Sequence, residues 1–266
     1  MSRIALIKGG SMKNYKKDGL LFCGDCNTPK EARVIWLDGL PHVVSIACSC
    51  EAAAAADFEK QFQDDELRRT IEQNRRVGIP SKDMQSWAFE NDDQRNPNVT
   101  AICRAYAESF QDNLREGKGL LLYGAVGTGK TFLSACIVNA LLDRGYRCLM
   151  TTFPRLINEI QSTFEERQQR IDALRRYKLL VIDDLGVERN TEYMTELVQT
   201  IIDERYRAGL PLIVTTNLMS EELQQPTDVA RERLYSRLFE MCVPVKVAGS
   251  DRRREKLITN AKKGTK

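Results

Sequence analysis

The sequence lacks long apolar runs. No stretch approaches the roughly 18 apolar residues that a membrane-spanning helix needs, and the opening residues, MSRIALIKGGSMKNYKK, contain no signal-peptide core. These absences argue against a membrane-spanning or exported protein, so we expect a soluble, cytoplasmic protein with no membrane partner. The 266 residues and 42% hydrophobic content leave room for one α/β domain of ordinary size and a smaller appendage.

The sequence also has little net charge and only one histidine. Forty Lys and Arg residues against thirty-seven Asp and Glu give a net charge of only +3, so the total charge does not by itself indicate a nucleic-acid-binding protein. Eight cysteines without an export signal favour thiols or metal ligands over disulfides. The only histidine, His42, is expected to be a strand residue, because four of the cysteines already complete a metal site.

Those four cysteines form two pairs near the amino terminus. The pairs are Cys23/Cys26 and Cys48/Cys50. Between them, two β-prone runs flank Asp38-Gly39, a dipeptide that favours a hairpin turn and would bring the pairs together. Four converging thiolates are what a tetrahedral structural Zn²⁺ requires, and a module this small has little core without one. Reduced structural cysteines are the alternative, because the second pair is C-x-C rather than the commoner C-x-x-C.

The run after Cys50 is rich in helix formers and continues to Arg76. Its apolar residues form a narrow stripe, made of Phe58, Phe62, Leu67 and Ile71. The stripe suits a connecting helix or one that buries the stripe on a partner protein, and a plain solvated helix is the alternative. Gly78-Ile79-Pro80 ends the helix, so we predict a docking module at 1–77, a core domain at 78–254 and a basic tail at 255–266.

A complete phosphate-loop motif lies near the middle of the chain. The apolar run at 120–123 predicts a buried strand, GAVGTGKT at 124–131 fits G-x-x-x-x-G-K-[ST], and a helical pattern follows to Asp143. The predicted nucleotide-binding residues are Gly124, Gly127, Thr128, Gly129, Lys130 and Thr131. Backbone N–H groups of the loop would point at the phosphates, Lys130 adds a cation, and the Thr131 hydroxyl ligates Mg²⁺. A glycine-rich connecting turn is the alternative, but strand, motif and helix together favour nucleotide binding.

Two later strands end in polar side chains. Strand patterns at 147–152, 179–182 and 212–216 alternate with helical segments, which predicts a parallel sheet with helices on both faces. The second run ends in Asp183 and Asp184, which we assign to Mg²⁺ and to the attacking water. The third ends at Asn217, whose amide would hydrogen-bond the γ-phosphate or that water; a loop cap is the alternative.

Helical patterns also flank these strands. One helix is predicted at 101–114, and an arginine-rich helix at 228–241 precedes a strand at 243–247. Residues 252–266 contain seven Lys or Arg against one Glu. Such a tail is usually solvated and disordered, and less often contacts nucleic acid.

With these pieces placed, the chain resembles the AAA+ ATPases of the DnaC/DnaI helicase-loader type and the similar IstB transposition ATPases. The resemblance runs from Gly78 to Arg254, through GIPSKDMQSWAFEN, AYAESFQDNLREGKGLLLYGAVGTGKTFLS, LLVIDDLGVE, LIVTTNL and RLYSRLFEMCVPVKVAGSDRR. It implies an AAA+ three-layer parallel sheet. Because the chain ends soon after Arg252, we expect no full helical lid.

The resemblance also implies roles around the nucleotide. Asn217 matches sensor 1, and Arg252 matches a sensor 2 arginine, with Arg253 close enough to compete. Arg237 matches the arginine finger, which implies an oligomer with ATP between subunits; a surface ion pair is the alternative. Asp184 stands where most of the superfamily has glutamate, so slow hydrolysis is expected.

The implied function is ATP-dependent loading of a replicative helicase onto single-stranded DNA. The cysteine module is similar to the zinc-binding segment by which some loaders grip the hexameric helicase. DNA contacts would fall on Phe164, Thr191 and Tyr193, although Phe164 is equally consistent with a core position. The cofactors would be ATP, Mg²⁺ and Zn²⁺. An IstB-like ATPase that binds duplex DNA and directs a transposase is the alternative function.

Overall fold

The computed structural model describes residues 13–37, 39–160, 164–186, 192–226 and 228–255. The side chains of Phe164, Glu165, Glu192 and Tyr193 lie outside this description. The chain divides into two compact units, residues 1–68 and 69–266. None of the helices in the described part of the chain has both the length and the apolar composition of a membrane span.

The first unit contains two antiparallel hairpins. Their strands are β1 (Tyr15–Lys17), β2 (Leu20–Phe22), β3 (Glu31–Ile35) and β4 (Pro41–Ser45). The β3–β4 hairpin lies between the cysteine pairs, as predicted, and the Gly39 amide closes its turn on the Trp36 carbonyl at 2.9 Å. Asp38, the other residue of the predicted turn, lies outside the described residues. The β1–β2 hairpin was not predicted, although Asp18 and Gly19, both with positive φ, form its two-residue turn.

Helix α1 (Ser49–Gly78) begins at the second cysteine pair and ends at the predicted Gly78. The division between the units, at 68/69, falls within this helix, so the last turns of the helix belong to the second unit. Arg75 donates to Asn139 Oδ1 at 3.1 Å and forms an ion pair with Asp143. A Cβ at Gly78 would lie 2.3 Å from the Cys148 carbonyl oxygen, so this close approach requires glycine.

The second unit begins with two short 3₁₀ turns, at Asp83–Ser86 and Phe89–Asn91, and then alternates helices and strands. The elements are α2 (Pro97–Glu108), α3 (Phe110–Glu116), β5 (Gly119–Tyr123), α4 (Lys130–Asp143), β6 (Cys148–Thr152), α5 (Phe153–Ile160), α6 (Phe164–Ala173), β7 (Leu179–Leu185), α7 (Glu192–Arg207), β8 (Leu212–Thr216), α8 (Ser220–Gln224), α9 (Val229–Met241) and β9 (Cys242–Lys246). The prediction of a single helix at 101–114 is wrong. The segment forms two helices, broken at Ser109, whose hydroxyl bonds the Ala105 carbonyl at 2.8 Å.

The five strands form one parallel sheet in the order β6-β7-β8-β5-β9. Alternate strand residues point to opposite faces. Leu179 and Val181 join the core formed with α2 and α4, whereas Leu180 and Ile182 join the core formed with α5, α7 and α9. Helices therefore cover both faces, which confirms the predicted three-layer α/β fold. Because β7, β8 and β5 are neighbours, the residues after their carboxyl ends meet at one edge.

Candidate nucleotide site and cysteine cluster

The phosphate loop connects β5 to α4 in a backbone conformation that requires glycine. Gly124, Gly127 and Gly129 have φ of 136°, 77° and 103°. A Cβ at Gly127 would lie 2.1 Å from Asp251 Oδ1, and one at Gly129 would lie 3.0 Å from Arg252 Cζ. The loop glycines therefore also make room for the segment after β9, whose Arg252 amide donates to the Gly127 carbonyl at 3.1 Å.

Lys130 lies beneath this loop with its ammonium group fully engaged. Its Nζ donates to the carbonyls of Gly124 at 2.8 Å and Ala125 at 2.7 Å, and to Asn217 Oδ1 at 2.7 Å. Burial lowers the pKa of Lys130, while the nearby carboxylates of Asp184 and Asp183 act in the opposite direction. Lys130 thus joins the loop to Asn217, which follows the end of β8, a contact that was not predicted from the sequence. The buried Thr128 hydroxyl donates to the Ala125 carbonyl at 3.0 Å, so that side chain closes the loop.

Asp183 is buried beside the first turn of α4. The Thr131 hydroxyl lies 3.1 Å and 3.0 Å from its two carboxylate oxygens, and the Thr215 hydroxyl donates to Oδ1 at 2.6 Å. Burial raises the pKa of Asp183, and the neighbouring Asp184 adds to that effect, while the Thr215 hydrogen bond opposes it. The structure therefore brings together the hydroxyl and the carboxylate that were predicted to bind Mg²⁺, and their oxygens suit that hard cation.

Asp184 sits on an irregularity in the sheet. The register of β7 against β8 shifts between Ile182 and Leu185, and Asp184 adopts φ of 58°, which is rare for a residue with a side chain. Its amide donates to the Thr215 hydroxyl at 2.9 Å instead of a strand carbonyl, and its Oδ1 lies 3.4 Å from Asn217 Nδ2. The bulge turns two consecutive acids toward the same site, where a regular strand would point them to opposite faces.

Arg252 also reaches this edge of the sheet. Its guanidinium lies 3.0 Å from Asp93 Oδ1 and 3.8 Å from the buried carboxylate of Asp92. Arg252 and Arg253 both line the same cavity, so the structure does not choose between them as the second sensor.

A cavity of about 700 Å³, within the size range of nucleotide-sized ligands, is lined by Lys130, Thr131, Asp184, Asn217 and Arg252, while Asp183 lies buried behind Thr131. The phosphate loop, Asp184 and Asn217 form its polar side. Its other side is apolar, because Met84, Trp87 and Phe132 line it and the Trp87 and Phe132 rings lie 5.6 Å apart. The arrangement provides cations and N–H groups for phosphates beside an apolar surface for a flat ring.

Arg237 is not among the residues that line this cavity. It packs 4.1 Å above the Tyr206 ring and forms ion pairs with Asp203 at 3.1 Å and Glu240 at 2.7 Å. Within its own subunit, Arg237 therefore forms the surface ion pair that was the alternative to a finger. Arg233, one turn earlier in α9, is exposed and has no ion pair among the described residues.

The three predicted DNA contacts cannot be placed. Thr191 lies outside the described residues, and Phe164 and Tyr193 begin α6 and α7 with side chains that are not described. Their role therefore stays a prediction.

The four cysteines of the first unit converge. All four Sγ atoms lie within 4.8 Å of one another, and tetrahedral zinc with Zn–S bonds of about 2.3 Å would set them about 3.8 Å apart. The Thr28 hydroxyl, 3.0 Å from the Cys26 Sγ, lowers the pKa of Cys26 to about 5, whereas the adjacent Cys48 thiol raises the pKa of Cys50 to about 12. The donor set therefore fits a structural zinc ion, and His42 is not part of it.

Several residues of the site were missed in the sequence. Thr215 is fully buried and holds both acids, and the only signal for it was a polar pair at the end of an apolar strand. Asp93 and Trp87 precede α2, in a segment to which no helix or strand was assigned from the sequence. No periodicity in such a segment indicates that it folds over a nucleotide cavity.

The comparisons with known proteins show the same fold and an ATP-binding family. The family described as IstB-like ATP binding protein matches residues 57–259. The replicative helicase loader DnaI of Bacillus subtilis (strain 168) is 27% identical over 167 residues, which are 58% of this chain and 52% of that protein. The replicative helicase loader DnaC of Escherichia coli (strain K12) is 29% identical over 194 residues, covering 70% of this chain and 75% of that protein.

Solved structures show the same fold. A crystal structure of the DnaC helicase loader superposes with a TM-score of 0.56 and 26% identity, over 63% of this chain and 100% of that one. A DnaI crystal structure gives a TM-score of 0.55, over 66% of this chain and 95% of that one. The predicted resemblance is therefore confirmed, although the chain spans only about half the length of the DnaI protein that it matches.

Proposed function

The chain belongs to the IstB-like ATP-binding protein family, and from this premise we propose that it loads a replicative DNA helicase onto single-stranded DNA in an ATP-dependent manner. One observation carries the proposal: a nucleotide site assembled from the phosphate loop, Asp183 and Asn217 occurs in a chain whose named relatives include replicative helicase loaders. The transposition alternative is not favoured, because those relatives are named for helicase loading.

The chain's own residues would divide the work at the nucleotide. Lys130 and the loop amides bind the phosphates, while Thr131 and Asp183 hold Mg²⁺, which supplies charge neutralisation when bound. Asp184 and Asn217 orient the attacking water. Since aspartate is one methylene shorter than glutamate, and Asp184 is held on a bulge, we infer that hydrolysis is slow until a partner reorganises the site.

Arg237 would complete the site of a neighbouring subunit. It must then exchange its ion pairs with Asp203 and Glu240 for contact with the neighbour's phosphates. Mixing two inactive variants tests this role: Lys130→Ala subunits cannot bind ATP but still supply Arg237, whereas Arg237→Ala subunits bind ATP without supplying it. We expect the mixture to recover ATP turnover that neither variant shows alone. Recovery by an Arg233→Ala mixture instead would assign the finger to Arg233.

The first unit would bind zinc and dock on the helicase. Its β3–β4 hairpin presents large apolar side chains to solvent, and Ile35, Trp36 and Leu37 are 78%, 60% and 106% exposed. A cluster of this kind on a small unit is typical of a protein-binding surface. DNA contacts by Phe164, Thr191 and Tyr193 belong to this proposal as well.

Capture with the full chain as bait tests the function. We expect the chain to retain a replicative helicase in the presence of zinc and ATP and to promote its transfer to single-stranded DNA. A matched bait carrying Cys23→Ser should lose the helicase while still binding ATP. Retention of a transposase and no helicase would overturn the proposal.

A further inference from the structure

A basic groove with an apolar floor lies along β6 in the second unit, away from the nucleotide cavity. Its larger part, about 390 Å³, has a floor that includes Leu149, Leu156 and Leu174. A second part of about 290 Å³ shares Val77, Arg176 and Tyr177 with the first, so the two are contiguous. The proposed function does not use this groove.

The rim of the groove carries an excess of positive charge. The charged residues that line it are Arg147, Arg155, Arg170, Arg176 and Glu159. Arg155 pairs with Glu159 at 2.9 Å, and Arg170 donates to the Glu159 carbonyl oxygen. Arg147 and Arg176 have no ion pair within the part of the chain that the structure describes. The groove therefore suits an occupant that combines apolar and acidic side chains.

The same chain carries such a segment in the first part of α1. Residues 51–67 contain six acidic residues and one lysine. Phe58 and Phe62, one turn apart on the same face, are 69% and 56% exposed. Asp65 and Glu66 follow Phe62 by three and four residues and thus extend that face. Neither has an ion pair among the described residues.

The exposure of this segment is unusual for a helix of its length. Every residue from 50 to 70 is exposed, whereas most helices in proteins gain their stability by burying an apolar face. The alanine run at 52–56 favours helix formation locally but does not account for two exposed phenylalanines. A partner that covers them would provide the missing burial.

We propose that the acidic face around Phe58 and Phe62 of one copy docks into the arginine-rimmed groove of a second copy. The two phenylalanine rings would lie on the leucine floor, and Asp65 and Glu66 would approach Arg176 and Arg155. A nucleic acid suits the groove less well, because the floor is mainly aliphatic and its one ring, Tyr177, is only 8% exposed. Since the two surfaces differ, the contact either links copies head-to-tail into a chain or ring or, where two copies exchange helices, closes a two-fold dimer.

Sedimentation velocity of the full chain over a concentration series, with zinc and ATP, tests the proposal. Two double charge reversals place like charges in the contact: Asp65→Arg/Glu66→Arg on the helix and Arg155→Glu/Arg176→Glu on the groove. Each should weaken self-association at least tenfold. An equimolar mixture of the two should restore it, because the reversed helix of one matches the reversed groove of the other. Phe58→Ala/Phe62→Ala should weaken association, and mixing it with the helix reversal should not restore association, because neither of those variants has an intact helix face.

The control reverses two exposed acids elsewhere, Asp112→Arg/Glu116→Arg on α3, and should leave association unchanged. All variants should keep the ATP affinity of the wild type, because none lies at the nucleotide cavity. The proposal is overturned by a monomeric wild-type chain, by unchanged association of both reversals, or by a loss that mixing does not restore. The proposal would also be overturned by variants that still self-associate but no longer bind a helicase or DNA, since another occupant would then fill the groove. This test is independent of the capture test for the proposed function: self-association through the groove would stand even if no helicase were captured.

Discussion

The two units of the chain are stabilised in opposite ways. In the described part of the first unit, the buried residues are Cys23, Gly24 and Cys48, so its centre is a set of thiols. The second unit buries two large apolar clusters, one on each face of a parallel sheet. We therefore expect the stability of the first unit to depend on what binds its thiols, whereas that of the second depends on its own side chains.

This difference suits a division of labour. The described part of the first unit has no cluster of buried apolar side chains, and its exposed Trp36 and Leu37 are available to a partner. A unit with a rigid core can hold Lys130, Asp183 and Asn217 within hydrogen-bonding distance of their neighbours, as phosphate chemistry requires. The predictions below test how independent the two units are.

Loss of zinc should have the largest effect and should be confined to the first unit. Cys48→Ser, or chelation, removes a binding free energy of roughly 10–16 kcal/mol in small zinc modules. We expect complete loss of amide protection around β1–β4 by hydrogen exchange, with ATP affinity unchanged. Cys103→Ser is the matched control, because Cys103 is buried in the second unit and should leave the zinc content at one ion per chain. A first unit that stays folded without metal would contradict the comparison.

Two substitutions at the nucleotide cavity should act only on the second unit. Lys130→Ala removes the cation that holds the loop and should reduce ATP affinity at least 100-fold. Asp184→Asn should retain ATP binding and reduce turnover by about 10²–10⁴-fold, the usual range for loss of a proton-accepting group. Isothermal titration and phosphate release measure the two effects. If Asp184→Asn still supported helicase loading, hydrolysis would not be needed for that step.

Local motifs predicted the elements of this cavity but not its final geometry. Lys130 and Thr131 could be assigned because the phosphate loop is contiguous in sequence and lies between a strand and a helix. Asp184 was assigned to the water without any sign of a bulge, because a bulge depends on the register of β7 against β8. Thr215 was missed for the same reason, because its role depends on the contacts that it makes with a neighbouring strand.

Contacts between distant segments were also beyond the sequence patterns. The glycines at 127 and 129 were predicted only as nucleotide-binding residues, but the structure also shows Asp251 and Arg252 packed against them. The ion pair of Arg237 with Asp203 joins α9 to α7, and no periodicity within either helix indicates that the two meet. By contrast, the β1–β2 hairpin could have been predicted from the sequence, since Asp18-Gly19 is a recognised turn dipeptide.

In the second unit, Arg205 should have the stabilising role that we expect of the thiols in the first unit. This arginine, only 1% exposed, donates to four carbonyls, those of Leu174, Tyr177, Lys178 and Pro211. Arg205→Met leaves these acceptors buried without a donor and should destabilise the second unit by roughly 3 kcal/mol in urea unfolding. Arg207→Met, which loses only an exposed ion pair with Glu204, should cost under about 1 kcal/mol. Zinc content should be unchanged in both variants.

The smallest expected effect has the opposite sign and comes from Asp183. Burial raises the pKa of this carboxyl above its unfolded value, so its ionisation opposes folding. The opposition is absent below the unfolded pKa and grows as the pH rises through the folded pKa. Asp183→Asn should therefore stabilise the nucleotide-free protein at neutral pH, by about 1 kcal/mol or roughly 2–4 °C, and should have no effect in acid.

The proposed binding of magnesium by Asp183 should have the reverse pH dependence, because only the ionised carboxylate would ligate the metal. Mg²⁺ affinity should weaken as the pH falls through the raised pKa, before exposed aspartates titrate, and Asp183→Asn should remove that dependence. Asp172→Asn, at an exposed position on α6, is the control and should change neither melting nor Mg²⁺ affinity. A lower melting temperature for Asp183→Asn at neutral pH would show that the hydrogen bonds from Thr215 and Thr131 outweigh the burial of charge. The ionised Asp183 would then stabilise the protein rather than destabilise it.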